Sequence, residues 1–167
     1  AKPENRQDLL NAYDNTIRYT DYILHGIVER LQKWEKTQAK TDGVYSQPTS
    51  AMLYTSDHGE NIFDDDRNHF LHAAPKASDY ELHVPFIIWT SDGYGKQYPG
   101  AWKALGENRI KQVQTSLSAF HTMLGIGGIQ TRYRQDEYSV ASEMYHPVNL
   151  LYLNDHDEAI PLEDAKY

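Results

Sequence analysis

Residues 51–61 read Ala-Met-Leu-Tyr-Thr-Ser-Asp-His-Gly-Glu-Asn, and the reading of this stretch decides the fold. Ala51-Met52-Leu53-Tyr54 has the length and composition of a buried strand. The polar group Ser56-Asp57-His58-Gly59-Glu60 begins where such a strand would end. In open α/β sheets, ligands are held beyond the carboxyl ends of the strands. Asp57 and His58 offer one carboxylate and one imidazole, a donor pair suited to zinc. Gly59 behind them would allow a sharp backbone turn. An isolated Asp-His-Gly is more often a plain turn than a metal site, so both readings stand at this point.

The sequence downstream narrows the choice. His69-Phe70-Leu71-His72-Ala73-Ala74-Pro75 is followed by His83-Val84-Pro85-Phe86-Ile87-Ile88-Trp89. Strand, Asp-His-Gly-Glu, a histidine-bearing loop and then His-Val-Pro leading into a second apolar strand is a more specific order than any one motif. Together with Asn11-Ala12-Tyr13-Asp14-Asn15-Thr16, Asp21-Tyr22-Ile23, Phe120-His121-Thr122-Met123-Leu124-Gly125 and Thr131-Arg132-Tyr133, it resembles the phosphoethanolamine transferases of the sulfatase and alkaline phosphatase superfamily. The resemblance covers roughly residues 9 to 135 and fades beyond, so residues 136–167 are expected to form a divergent C-terminal extension.

The resemblance carries several implications. The fold would be a three-layer α/β/α sandwich around a mixed, mainly parallel sheet, with this chain as the C-terminal portion of one catalytic domain. Asp57 and His58 would be zinc ligands. His72 would lie in the substrate pocket, where it contacts phosphate or a second zinc, and His83 would support the site by a hydrogen bond. The nucleophile would be a threonine upstream, outside this chain, since none of Thr16, Thr20, Thr49 or Thr55 has the expected context. The donor would be phosphatidylethanolamine and the acceptor lipid A or a related cell-envelope group. The partners would then be the missing N-terminal part of the domain and, through an absent N-terminal anchor, the periplasmic face of the bacterial inner membrane. A sulfatase or phosphodiesterase of the same superfamily is the second reading, and a non-catalytic α/β module the third. Sulfatases of this superfamily usually hold calcium, with Asn or Gln after the corresponding Asp. His58 is a softer ligand and points to zinc, hence to phosphoryl rather than sulfuryl transfer.

Bulk properties agree with a folded domain. The 167 residues suffice for one domain with a real core. A net charge of −8 argues against a nucleic-acid partner. No apolar run approaches the length of a membrane span, and the polar start Ala1-Lys2-Pro3-Glu4 does not resemble a signal peptide. Without cysteine, the redox compartment is not legible.

Periodicity supplies the remaining elements. Residues 1–8 suggest a linker. Leu10, Tyr13, Ile17, Leu24, Val28 and Leu31, with Ile27 and Trp34 beside them, then predict an amphipathic helix. Asp21 lies near the apolar stripe and is expected to be buried or half-buried, bonded to backbone or tyrosine, whereas His25 is expected at the surface. Residues 37–50, with the turn signals Asp42-Gly43 and Pro48, predict a loop. Ala51 to Ser56 is expected to be a central strand buried on both faces. Asp64-Asp65-Asp66-Arg67 suggests a solvated loop tip, and His69 is expected to stand apart from the site. Val84 to Trp89 predicts a strand, and Pro85 is tolerated at its start. Ser91 to Gly100 predicts a loop. Ile110, Val113, Leu117, Phe120 and Leu124 predict a second helix capped by Gly125 or Gly127, with His121 an ordinary helix residue. Val148 to Leu153 suggests an edge strand and Asn154 to Asp164 a loop.

Overall fold

The computed structural model describes residues 1–41, 48–72, 75–154 and 156–165. The chain divides into two compact units. One comprises Ala1–Ile27, Ser56–Pro85 and Asn149–Tyr167, and the other Val28–Thr55 and Phe86–Val148.

A 3-10 turn at Pro3–Asn5 leads into α1, Arg6–Thr41, where the sequence suggested a linker. Proline in the first turn loses nothing, because its absent N–H would have had no helical partner. Leu10, Tyr13, Leu24, Val28 and Leu31 form the half-buried stripe, while Ile17, Ile27 and Trp34 are exposed. Asp21 is exposed, contrary to expectation, and His25 is exposed as expected. Nearness to an apolar stripe in periodicity still leaves a carboxylate free to point to water. The predicted turn at Asp42-Gly43 lies outside the described residues, and Pro48 follows in irregular chain.

In the first unit, two-residue strands β2 (Asn61–Ile62) and β3 (Phe70–Leu71) form a hairpin with Asn61 across from Leu71 and Ile62 across from Phe70. The acidic run between them is built into the structure rather than a solvated tip. The Arg6 guanidinium donates to the carbonyls of Ile62 (3.0 Å) and Phe63 (3.1 Å) and pairs with Asp64 at 2.6 Å. Arg67 pairs with Asp65 at 2.5 Å, and this bond comes first among the contacts that hold the Asp65 carboxyl below the ordinary carboxylate range. Asp66 alone of the three acids is exposed. The short helix α2, Asp79–Leu82, is capped by Ser78, whose N–H and Oγ both donate to the buried Glu81 carboxylate at 2.8 Å. Residues 149–167 contribute a hairpin of β5 (Leu151–Leu153) and β6 (Ala159–Pro161), followed by a 3-10 turn at Leu162–Ala165. The stretch from Asn154, expected as loop, therefore contains a strand. Its short apolar run Ala159-Ile160-Pro161 sits among acids and has too few residues to show a strand pattern.

In the second unit, β1 (Ala51–Thr55) pairs with β4 (Phe86–Thr90), and Leu53 lies across from Ile88. The domain is α/β, as expected, and this pair runs antiparallel, as a mixed sheet allows. A parallel pair needs a helical crossover between its strands, and residues 56–85 instead provide loops, a hairpin and one helical turn. β1 is half-buried rather than buried on both faces. Among the described residues it has one strand neighbour, so its second edge lacks the cover a central strand receives.

Ala51, Leu53 and Ile88 pack against a core of Tyr94, Ile126 and Ala141. The expected loop after β4 is instead helical, as α3 (Tyr94–Gln97) and α4 (Pro99–Asn108), with Pro99 in the first turn of α4. Helix α5 runs Thr115–Ile126, with Gly127 as its C-cap and Gly128 in the left-handed region at φ 64°. Gly125 is required for another reason. A Cβ there would stand 2.5 Å from Ser139 Oγ and 3.2 Å from Ala141 Cβ. His121 is buried and not an ordinary surface helix residue, since its Nδ1 accepts the Gln135 N–H at 3.1 Å. The part of the C-terminal extension up to Val148 is thus integral to this core. Thr122 Oγ1 accepts the Val140 N–H, and Asn108 donates to the Val140 and Ser142 carbonyls.

The Tyr94 hydroxyl donates to the Ile126 carbonyl at 2.7 Å, and burial, with Tyr98 adding to it, pushes its pKa up to about 12. A raised acid pKa stabilises the fold fully below the unfolded value, and that contribution fades as pH rises through the folded value. Alkaline titration is therefore expected to cost stability between about pH 10 and about 12. Tyr94→Phe should remove this pH dependence. It should also cost about 1–2 kcal/mol at neutral pH by leaving a buried carbonyl unpaired. Urea melts of both proteins across the alkaline range check it.

Candidate functional site

The end of β1 hands the chain into Ser56-Asp57-His58-Gly59-Glu60, and a few short contacts shape this turn. Ser56 Oγ donates to the His58 carbonyl at 2.8 Å, and the His58 N–H donates to Asp57 Oδ1 at 3.1 Å. That backbone N–H is the first cause holding the Asp57 carboxyl below the ordinary carboxylate range, with the His58 ring adding to it. Gly59 N–H donates to the Glu81 carbonyl at 2.7 Å. The φ of Gly59 is not in the left-handed region, so the glycine serves close approach rather than the sharp turn expected from sequence.

Three side chains converge beyond the strand. His58, Glu60 and His72 each present a ligand atom, all within 4.8 Å of one another. The rings of His58 and His72 stand 3.8 Å apart at 35°. His72 Nδ1 is 3.0 Å and 3.2 Å from the two Glu60 carboxylate oxygens. His58 Nδ1 donates to the Gly59 carbonyl at 2.9 Å, which leaves Nε2 with its lone pair.

The donor set fits a zinc ion. Asp57 Oδ2 stands 3.7 Å from His58 Nε2, close to the ~3.3 Å that separates two ligands on a tetrahedral ion with bonds of about 2.0 Å. A carboxylate with an imidazole whose other nitrogen is tied to a carbonyl is a common arrangement around that metal.

Of the residues predicted from sequence, Asp57 and His58 are adjacent at the strand end and the His72 ring lies tilted against that of His58. His83 is the C-cap of α2, exposed and outside this cluster. His69 is also outside it, with its Nδ1 buried and unpaired. Ala73 and Ala74, part of the His72 motif, lie outside the described residues. Thr16 bonds to the Tyr13 carbonyl within α1, and Thr49 to Gln97. Neither has the surroundings of a nucleophile. Glu60 was missed. The signal available was its position two residues after His58, which is too weak to separate a ligand from a solvated turn residue.

This strand-end cluster of carboxylate and imidazole groups on an α/β scaffold defines a partial domain of the alkaline phosphatase-like class. The chain belongs to the sulfatase family, whose pattern matches residues 1–129. It is 30% identical over 149 residues to the phosphoethanolamine transferase EptA of Salmonella typhimurium, covering 88% of this chain and 24% of that relative. Its fold matches the C-terminal periplasmic domain of the phosphoethanolamine transferase EptC from Campylobacter jejuni, with a TM-score of 0.66 and 26% identity, over 86% of this chain and 41% of that one. The corresponding periplasmic domain of EcEptC from Escherichia coli shares the fold with a TM-score of 0.75 at 17% identity, over 95% of this chain and 41% of that one. The chain therefore spans about a quarter of the length of that curated relative. Among the described residues, no helix is long and apolar enough to cross a membrane.

Proposed function

We propose that this chain is the C-terminal portion of the catalytic domain of a zinc-dependent phosphoethanolamine transferase at the periplasmic face of a bacterial inner membrane. The donor is phosphatidylethanolamine and the acceptor lipid A or a related cell-envelope group. The observation that carries this reading is the convergence of His58, Glu60 and His72 directly after the strand that delivers Asp57. Membership of the sulfatase family and relatives named as phosphoethanolamine transferases support it.

Asp57 and His58 would hold the zinc. When bound, zinc lowers the pKa of a hydroxyl nucleophile and offsets negative charge on phosphoryl oxygens. The nucleophile is a threonine contributed from outside these residues, and it carries the phosphoethanolamine between donor and acceptor. His58 is oriented by the Gly59 carbonyl and Asp57 is kept ionised by the His58 N–H. His72 contacts the transferred group. His83 stands at the C-cap of α2, and a supporting bond from it would be formed only with substrate present. The chain would work with the N-terminal part of the catalytic domain and reach the membrane through a separate N-terminal anchor.

Zinc calorimetry on the 167 residues, then a head-group transfer assay with fluorescent phosphatidylethanolamine, tests the reading. Two protein ligands hold zinc far less well than the three or four of natural sites. Weak zinc binding and no transfer are expected from the chain alone, and both should be restored when the N-terminal part of the domain is added. His72→Ala should slow the reconstituted enzyme without stopping it. Tight stoichiometric zinc binding that survives loss of Asp57 and His58 would overturn the assignment. Release of phosphoethanolamine to water without transfer would favour the hydrolase reading.

A further inference from the structure

We propose that Glu60 is a positioning residue that sets the ring orientation and tautomer of His72, so that His72 presents a bare Nε2 to the site. The proposal rests on the functional reading only for the use made of His72.

The placement follows from the fold. In the β2–β3 ladder, Asn61 lies across from Leu71. One step further along the same register, Glu60 stands across from His72, the distance at which cross-strand side chains interact. Both neighbours of Glu60 are fixed. Gly59 N–H is bonded to the Glu81 carbonyl at 2.7 Å. Asn61 is fully buried and donates to Asp65 at 2.7 Å and Ser78 at 3.3 Å. Leu71, directly before His72, is held at φ 71°, a conformation that costs a bulky residue free energy and persists only where the surroundings impose it. The Glu60 side chain is 19% exposed against 87% for Asp57, so it is the better ordered of the two carboxylates.

The chemistry follows from the contact. An ionised carboxylate only accepts hydrogen bonds. With both oxygens at 3.0–3.2 Å from Nδ1, the proton of a neutral His72 sits on Nδ1 and the lone pair on Nε2. His58 reaches the same tautomer through a different acceptor, the Gly59 carbonyl. The two neighbouring rings therefore offer two Nε2 lone pairs. A neutral His72 then acts as an acceptor or a cation ligand through Nε2, not as a donor.

The test reads the tautomer directly. Two-bond nitrogen–proton correlation spectra of the labelled, metal-free chain are recorded at about pH 8, above the ordinary histidine range. His72 is assigned by its loss in His72→Gln. The expected result is an Nδ1–H tautomer for His72 in the wild type and a switch to Nε2–H in Glu60→Ala. His58 should keep its Nδ1–H in both. Glu60→Gln should retain the wild-type tautomer, because its amide oxygen accepts the same proton. An Nε2–H tautomer of His72 in the wild-type chain overturns the proposal without any variant having to fold. An unchanged tautomer in Glu60→Ala overturns it as well. Since no turnover is read, failure of head-group transfer with the Nδ1–H tautomer intact would count against the transferase reading and leave Glu60 in place.

Discussion

His58→Ala is expected to abolish head-group transfer in the reconstituted enzyme, with a loss well beyond about 100-fold, the upper range seen when only an outer-shell partner of a metal ligand is removed. The substitution removes an imidazole 3.7 Å from the Asp57 carboxylate and in ring contact with His72. The local fold should survive it. The contacts that shape the turn run through the backbone of residue 58, where the N–H reaches Asp57 and the carbonyl accepts from Ser56. Gly59 keeps its bond to Glu81. Asp57→Ala should be comparably damaging to turnover, because it removes the other proposed zinc ligand, and its exposed side chain leaves no cavity behind. Circular dichroism should match the wild type for both variants while zinc content and turnover fall together. Full turnover by His58→Ala would sink the zinc assignment. The acid limit of the site follows from the same geometry. Asp57 stays ionised below the ordinary carboxylate range, so its contribution is present above that range and is lost only as pH falls through the lowered value. Release of metal on acidification should accordingly not track protonation of Asp57 until pH falls through that lowered value.

Gly59→Ala is the second large effect, and it acts on stability. A Cβ at this position would lie 2.0 Å from the Tyr80 carbonyl oxygen and 3.2 Å from its carbon. Both are backbone atoms, so no side-chain rotation relieves the clash. The turn carrying Tyr80 cannot easily retreat, because Ser78 and the buried Glu81 lock its start through two 2.8 Å hydrogen bonds. Relief would have to come from breaking the 2.7 Å bond between Gly59 N–H and the Glu81 carbonyl. Overpacking of this kind typically costs about 1–3 kcal/mol, and a bonded backbone segment that must move places this case at about 3 kcal/mol or above. Chemical denaturation of the variant measures it, and a midpoint equal to wild type would contradict the close approach. Because Asp57, His58 and Glu60 flank the glycine, zinc affinity should fall in the same variant.

Much of this protein was legible from local sequence pattern. The apolar run Ala51 to Tyr54 announced a strand, and Asp57-His58 a candidate pair just after its carboxyl end. The stripe Leu10, Tyr13, Leu24, Val28 and Leu31 announced α1, and the order of motifs pointed to the family that residues 1–129 match. Where pattern was ambiguous, the reading failed in identifiable ways. Periodicity placed Asp21 beside the apolar stripe but could not say that nothing covers it. The Gly/Tyr/Pro stretch before Trp102 hid α3 and α4, since glycine and proline signal loops even where Pro99 is starting a helix. The acidic run resembled a solvated tip because its partner, Arg6, is 58 residues away.

The tertiary structure alone decided the rest. The antiparallel direction of β1 and β4, the pairing of Glu60 with His72 and the contact of Gly59 with Tyr80 and Glu81 each join segments whose separation carries no periodic signal. Helix and strand preferences are set by neighbours within a few residues, and those are written into composition and spacing. Which distant segments meet, and in what register, is settled by closing loops against their entropy and by packing side chains without voids. For that reason Asp57 and His58 could be named as candidates by reading the chain, whereas Glu60 became a candidate only once the hairpin had brought His72 across from it.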